Sequence, residues 1–179
     1  MTCVALRSPV FRVALVQDES GETPVVSPMD AALLFKKHIG NYDREAFAVI
    51  MLDPGKRLIG LSLVSIGTLT GTSAHPREIF KAAILASAHS LLVGHCHVAG
   101  DPTPSTEDKI LTKRLIVAGE ILGIEVLDHM IVTPNRRFFS FRRNSVLEFP
   151  EEPAAGGEQP LDQGHRHGLP RHPEAGSPR

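Results

Sequence analysis

Two cysteines, Cys3 and Cys96, are too few for a disulfide framework, so the chain is not expected to rely on covalent staples. Charge of neither sign dominates. Nineteen basic residues stand against twenty acidic ones, a formal balance of −1. A protein that works by neutralising phosphates ordinarily shows a clear basic excess, so the total gives no support to nucleic-acid binding. Long apolar runs are also missing. The amino-terminal stretch is broken by Arg7, Pro9 and Arg12, unlike the apolar core of a secretory leader. No segment approaches the ~18 apolar residues that cross a bilayer. The expectation is a cytoplasmic protein with no membrane association. There is no internal repeat.

What is present is enough for a core. With 42% hydrophobic residues in 179, one domain can fold without staples. Composition changes near Pro150. Residues 150–179 hold six prolines and five glycines, no Ile, Val, Phe or Tyr, and only Leu161 and Leu169. Such a stretch buries too little to offset its ordering entropy, so a disordered tail is expected there, after a domain over residues 1–149. The tail histidines His165, His167 and His172 then have no fixed geometry for a metal.

Within residues 1–149, strand and helix patterns alternate. Phe11–Val16 reads as a strand. Ser27-Pro28 opens a helix that Gly40 closes. Ala46–Leu52 is apolar on both faces, as a central strand is, and Leu58–Ile66 returns beside it after the Asp53-Pro54-Gly55-Lys56 turn. Pro76 to about His89 reads as a helix and Ser90–Gly94 as a short strand. Ser105 to Leu122 is the clearest helix, with Leu111, Leu115, Ala118 and Leu122 at helical spacing and Gly123 stopping it. Ile124–Val132 and Phe138–Phe141 are strands joined by a turn at Pro134–Arg137. The order implies an α/β (mixed α+β) domain, a mixed sheet flanked by helices.

Chemistry concentrates in the segment from His95 to Asp108. His95 and His97 close an apolar strand, and side chains two apart in extended chain point the same way, leaving Cys96 on the other face. A Gly/Pro-rich loop leads into the next helix, whose first turn carries Asp108 facing back towards the strand end. Two imidazoles and one carboxylate, with a fourth position left to water, make an open zinc site of the catalytic kind. Ser105 and Asp108 also fit a capping box, which needs no metal; a carboxylate facing a metal is expected to be less free to close it.

Taken together, His-x-His, ten further residues and Asp, with Ser three before that Asp, form the JAMM signature. Gly100-Asp101-Pro102-Thr103-Pro104-Ser105 resembles its RadC-like version. Arg44–Phe47, Ser65–Leu69, Pro76–Phe80 and Leu127–His129 resemble RadC-like segments in the same order, covering Phe11 to Phe141. The resemblance is to a short, single-domain form without the helix-hairpin-helix region of longer members, and it implies the JAB/MPN (cytidine-deaminase-like) architecture. It implies a zinc metalloprotease-type activity on a peptide or protein substrate: Zn2+ on His95, His97 and Asp108, Glu45 as general base, and Ser105 supporting the oxyanion. Asp128 and His129 are either partners orienting a ligand imidazole or a plain structural pair.

The chain departs from that pattern at two places. RadC-like proteins usually read His-Asn-His-Pro-Ser where this one has His95-Cys96-His97-Val98-Ala99. Without the proline, His97 is expected to be less preorganised. Cys96 is expected to be a small buried side chain turned from the metal. Two other functions compete with hydrolysis. One is a metal-binding module for protein interaction. The other is association with DNA, for which Lys109, Lys113 and Arg114, and separately Arg136, Arg137, Arg142 and Arg143, offer local basic clusters.

Overall fold

The computed structural model describes residue 25, residues 27–67 and residues 74–149. The strand expected at Phe11–Val16 and the expected tail lie outside them. Among the described residues the order is α1 (Pro28–Ile39), β1 (Ala46–Leu52), β2 (Leu58–Ile66), α2 (Pro76–Leu85), β3 (Ser90–Cys96), α3 (Thr106–Leu122), β4 (Glu125–Val132) and β5 (Phe138–Ser140). The strands form one mixed sheet in the order β2-β1-β3-β4-β5. Only β3 and β4 run parallel, as the α3 crossover between them requires; the other pairs are antiparallel.

Local chemistry starts the elements. Ser27 caps α1, its hydroxyl accepting from the Asp30 N–H while Asp30 Oδ2 accepts from the Ser27 N–H, and Pro28 occupies the first turn, where no N–H is needed. All seven residues of β1 are buried because helices cover both faces of the sheet. Ala46, Ala48, Ile50 and Leu52 pack with Phe35 and Ile39 of α1. Phe47, Val49 and Met51 pack with Phe80 of α2 and Leu115 of α3. Gly94 on β3 lets α1 sit close: a Cβ there would stand 2.7 Å from the Phe35 ring. Burying that ring contributes roughly 1.5–3 kcal/mol.

Three expectations need adjustment. Helix α2 stops at Leu85 rather than near His89, because Ser87 turns left-handed (φ 51°) and the His89 N–H already donates to Leu52 O in the sheet. The buried face of α3 is Thr112, Leu115 and Gly119, one step round from the apolar stripe; Leu122 is exposed. Strand β3 runs two residues further than Gly94, to Cys96. Gly123 does end α3 in the left-handed conformation (φ 66°) that glycine adopts most easily.

The pairing of β3 with β4 contains an irregularity. Leu91 pairs with Val126 but Leu92 with Asp128, so β4 carries one extra residue at a bulge. Downstream of it, Val93 pairs with His129 and His95 with Ile131. The bulge thereby turns His129, not Asp128, onto the sheet face that carries His95. No helix among the described residues is long and apolar enough to cross a membrane.

Candidate metal centre

The end of β3 and the start of α3 bring three potential ligands together. His95 is buried (2% exposed), and Phe47 stacks on its ring with centroids 5.8 Å apart. His97 follows one residue past the strand. Their Nε2 atoms stand 3.0 Å apart. Asp108 Oδ1 lies 3.2 Å from His95 Nε2, and Oδ2 lies 3.6 Å from His97 Nε2. Among the described residues this is the one group of three or more His, Cys, Asp or Glu side chains whose ligand atoms lie within 4.8 Å of one another.

The donor set fits a tetrahedral metal. Ligands ~2.0–2.1 Å from a zinc ion stand about 3.3 Å from each other, and separations of 3.0, 3.2 and 3.6 Å bracket that figure. Protonation fits too. His97 Nδ1 lies 2.8 Å from the Asp101 carbonyl, which can only accept, so Nδ1 carries a proton, and Nε2, turned to the cluster, offers a lone pair when the ring is neutral. Burial works to raise the Asp108 pKa, but hydrogen bonds with His95 and His97 outweigh it and hold the carboxyl well below its usual range. The same hydrogen bond with Asp108 is the main cause that raises His97.

Asp108 serves two ends at once. Its Oδ2 accepts from the Ser105 N–H (2.8 Å) and hydroxyl (2.6 Å), and its own N–H donates to Ser105 Oγ, while Oδ1 is turned to His95. Capping and facing the site therefore coexist, contrary to the expectation that one would weaken the other. The cap holds the carboxylate's rotamer. The single hydroxyl proton of Ser105 is committed to Asp108, so here the serine positions that carboxylate.

Glu45 lies just before β1. Phe47 pairs with His95, and continuing that antiparallel register sets Glu45 across from His97, on the same sheet face as Phe47. Its charge also favours the protonated form of His97. Its carboxylate is not one of the group within 4.8 Å.

Cys96 points the other way, 1% exposed in the α1-side core. Its Sγ accepts from the Ala46 N–H (3.2 Å) and donates to the Arg44 carbonyl (3.4 Å), bridging the two residues that flank Glu45. Burial pushes the thiol pKa up. Cys96→Ala removes a partner from two backbone groups and is expected to cost roughly 1–3 kcal/mol. Cys96→Asn, with an amide donor and acceptor, is expected to recover most of that. Urea unfolding of both variants checks this; an alanine variant as stable as wild type would dismiss the bridge.

The loop after His97 is anchored without a proline. The His97 N–H donates to Val132 O, and Gly100 O accepts from Asn135 Nδ2 and Arg137 Nη2. Arg137 thus has a structural task, as does Arg142, whose side chain donates to Leu127 O. Asp128 and His129 part company. Asp128 accepts from the backbone N–H groups of His129 and Arg142 and from the Ser140 hydroxyl, tying β4 to the turn after β5. Burial raises its pKa against those bonds. His129 instead lies 2.9 Å from His95 Nδ1. Thr112, which contacts His129, is a residue that reading the sequence does not single out. The available signal is its spacing, one helical turn after Asp108, and a hydroxyl on a face otherwise filled by Leu115 and Gly119.

A five-stranded mixed sheet with three helices, and a His-His-Asp cluster at the junction of a strand and the following helix, is the framework of a JAB/MPN domain. The chain belongs to the RadC-like JAB domain family, whose family model matches residues 25–146. Relatives are described as UPF0758 proteins. That of Desulforamulus reducens is 47% identical over 128 residues, 70% of this chain and 56% of the relative. That of Moorella thermoacetica is 43% identical over 125 residues, 70% of this chain and 54% of the relative. That of Rubrobacter xylanophilus is 42% identical over 146 residues, 81% of this chain and 63% of the relative. The chain thus spans between half and two thirds of the length of these relatives.

Proposed function

We propose that this domain is a zinc-dependent hydrolase of the JAMM type that cleaves a peptide or isopeptide amide bond. The observation that carries the reading is the convergence of two imidazole nitrogens and a carboxylate at tetrahedral spacing, with three protein ligands rather than four. A zinc ion held by His95, His97 and Asp108 would supply a bound water of pKa ~7 and a Lewis acid for the scissile carbonyl. His95 and His97, held by the strand and the Asp101 carbonyl, aim their Nε2 atoms. Glu45, across from His97, takes the attacking water's proton and passes it to the leaving amine. Ser105 supports the oxyanion once its hydroxyl turns from Asp108 Oδ2.

The commitment of the Ser105 proton to Asp108 is what a metal-binding interaction module would also show, so turnover is the deciding measurement. Zinc-loaded protein is expected to cleave members of a panel of linear peptides and lysine-isopeptide conjugates. Activity should vanish on chelation and return with added zinc. Full zinc occupancy with no cleavage of either bond type would replace this reading with the binding module.

A further inference from the structure

We infer that Thr112 and His129 are positioning residues, forming a buried hydrogen-bond relay that sets which nitrogen of His95 is free to bind the metal. His129 is fully buried, stacked on Phe141 (centroids 4.8 Å, 8° between planes) and tilted against Phe47. It stands outside the ligand group but touches His95. The relay rests on the proposed zinc site only for its consequence, since its direction comes from counting protons.

Thr112 Oγ1 lies 2.6 Å from the Asp108 carbonyl and 2.5 Å from His129 Nδ1. A hydroxyl has one proton, and a carbonyl only accepts, so the threonine donates to Asp108 O and offers His129 a lone pair. His129 Nδ1 is then the donor. A neutral imidazole carries a single N–H, so its Nε2 must accept. The partner there is His95 Nδ1, at 2.9 Å, which must therefore hold the proton. In its neutral form His95 is then left with an unprotonated Nε2, directed at His97 Nε2 and Asp108 Oδ1. His129 is fully enclosed, between Phe141 and Phe47, where an unpaired charge would be costly, so the neutral ring is the form counted here.

The relay also closes a ring. It leaves the backbone of Asp108, crosses α3 through Thr112, reaches β4 through His129 and β3 through His95, and returns to the Asp108 carboxylate. One ligand's own residue thus helps choose the tautomer of another. With the opposite direction, His95 Nε2 would bear the proton and block the metal. The bulge in β4 is what sets His129 within reach.

The test compares full-length wild type with Thr112→Val, which keeps volume but offers His129 no lone pair, and with Thr112→Ser, which restores it. A second variant, His129→Phe, removes the acceptor for His95 with an apolar ring of similar size. Zinc affinity by chelator competition is expected to fall about 10–100-fold in Thr112→Val and His129→Phe, and to stay within a few-fold of wild type in Thr112→Ser. Nitrogen-15 NMR of the histidine rings at pH 8 is expected to show Nδ1–H on both His95 and His129 in wild type, and mixed tautomers in Thr112→Val. A proton on His95 Nε2 in wild type, or equal zinc affinity in all four proteins, would overturn the relay. Wild type with the expected tautomers but no zinc uptake would uphold the relay and sink the zinc hydrolase.

Discussion

Replacing His95, His97 or Asp108 is expected to take the protein from about one zinc per chain to little or none, read by elemental analysis after dialysis. Each ligand contributes one of only three protein atoms at the site, so no fourth residue can compensate among the described residues. His95→Ala also empties the space between Phe47 and His129, and His97→Ala frees the loop at Asp101. Asp108→Ala has a second effect. It removes the side-chain half of the box with Ser105, while the bond from its backbone N–H to Ser105 Oγ is kept. Asp108→Asn is therefore the cleaner variant, since an amide oxygen can still accept from Ser105 while the charge is lost. Its zinc should fall with its stability nearly unchanged. Wild-type protein that takes up no zinc even when it is added back would remove the metal reading altogether.

Glu45→Gln is expected to lower turnover by roughly 10²–10⁴-fold while zinc content stays at the wild-type level. The split comes from placement. Glu45 lies one residue before β1, where continuing the register that pairs Phe47 with His95 would set it opposite His97, yet its carboxylate is not part of the group of His95, His97 and Asp108. Glutamine keeps the shape and removes the basic oxygen, so binding and chemistry should separate. Measuring kcat and zinc occupancy on the same preparation decides it. Activity retained by the glutamine variant would take Glu45 out of the mechanism; zinc lost along with activity would make it a ligand.

Much of the fold is written locally. Ser27 and Ser105 announce helix starts because their hydroxyls satisfy N–H groups that a first turn leaves open. Ala46–Leu52, apolar on both faces, could only be a strand covered on both sides. Other boundaries are less legible. The end of α2 depends on a long-range bond from His89 to Leu52, and the buried face of α3 includes Thr112, which no apolar stripe would select.

The candidate site divides in the same way. The spacing from His95 to His97 and on to Asp108 by itself determined that two imidazoles share a face and that an acid opens the next helix, because strand alternation and helix geometry act within a few residues. Three matters were decided only by tertiary structure. Cys96 spans the backbone on either side of Glu45 because β1 lies beside β3. Asp108 caps and faces the cluster together because its two oxygens meet different neighbours. His129 rather than Asp128 reaches His95 because one extra residue in β4 reverses which side chain meets that face, and a register shift is a property of paired strands that neither strand carries alone.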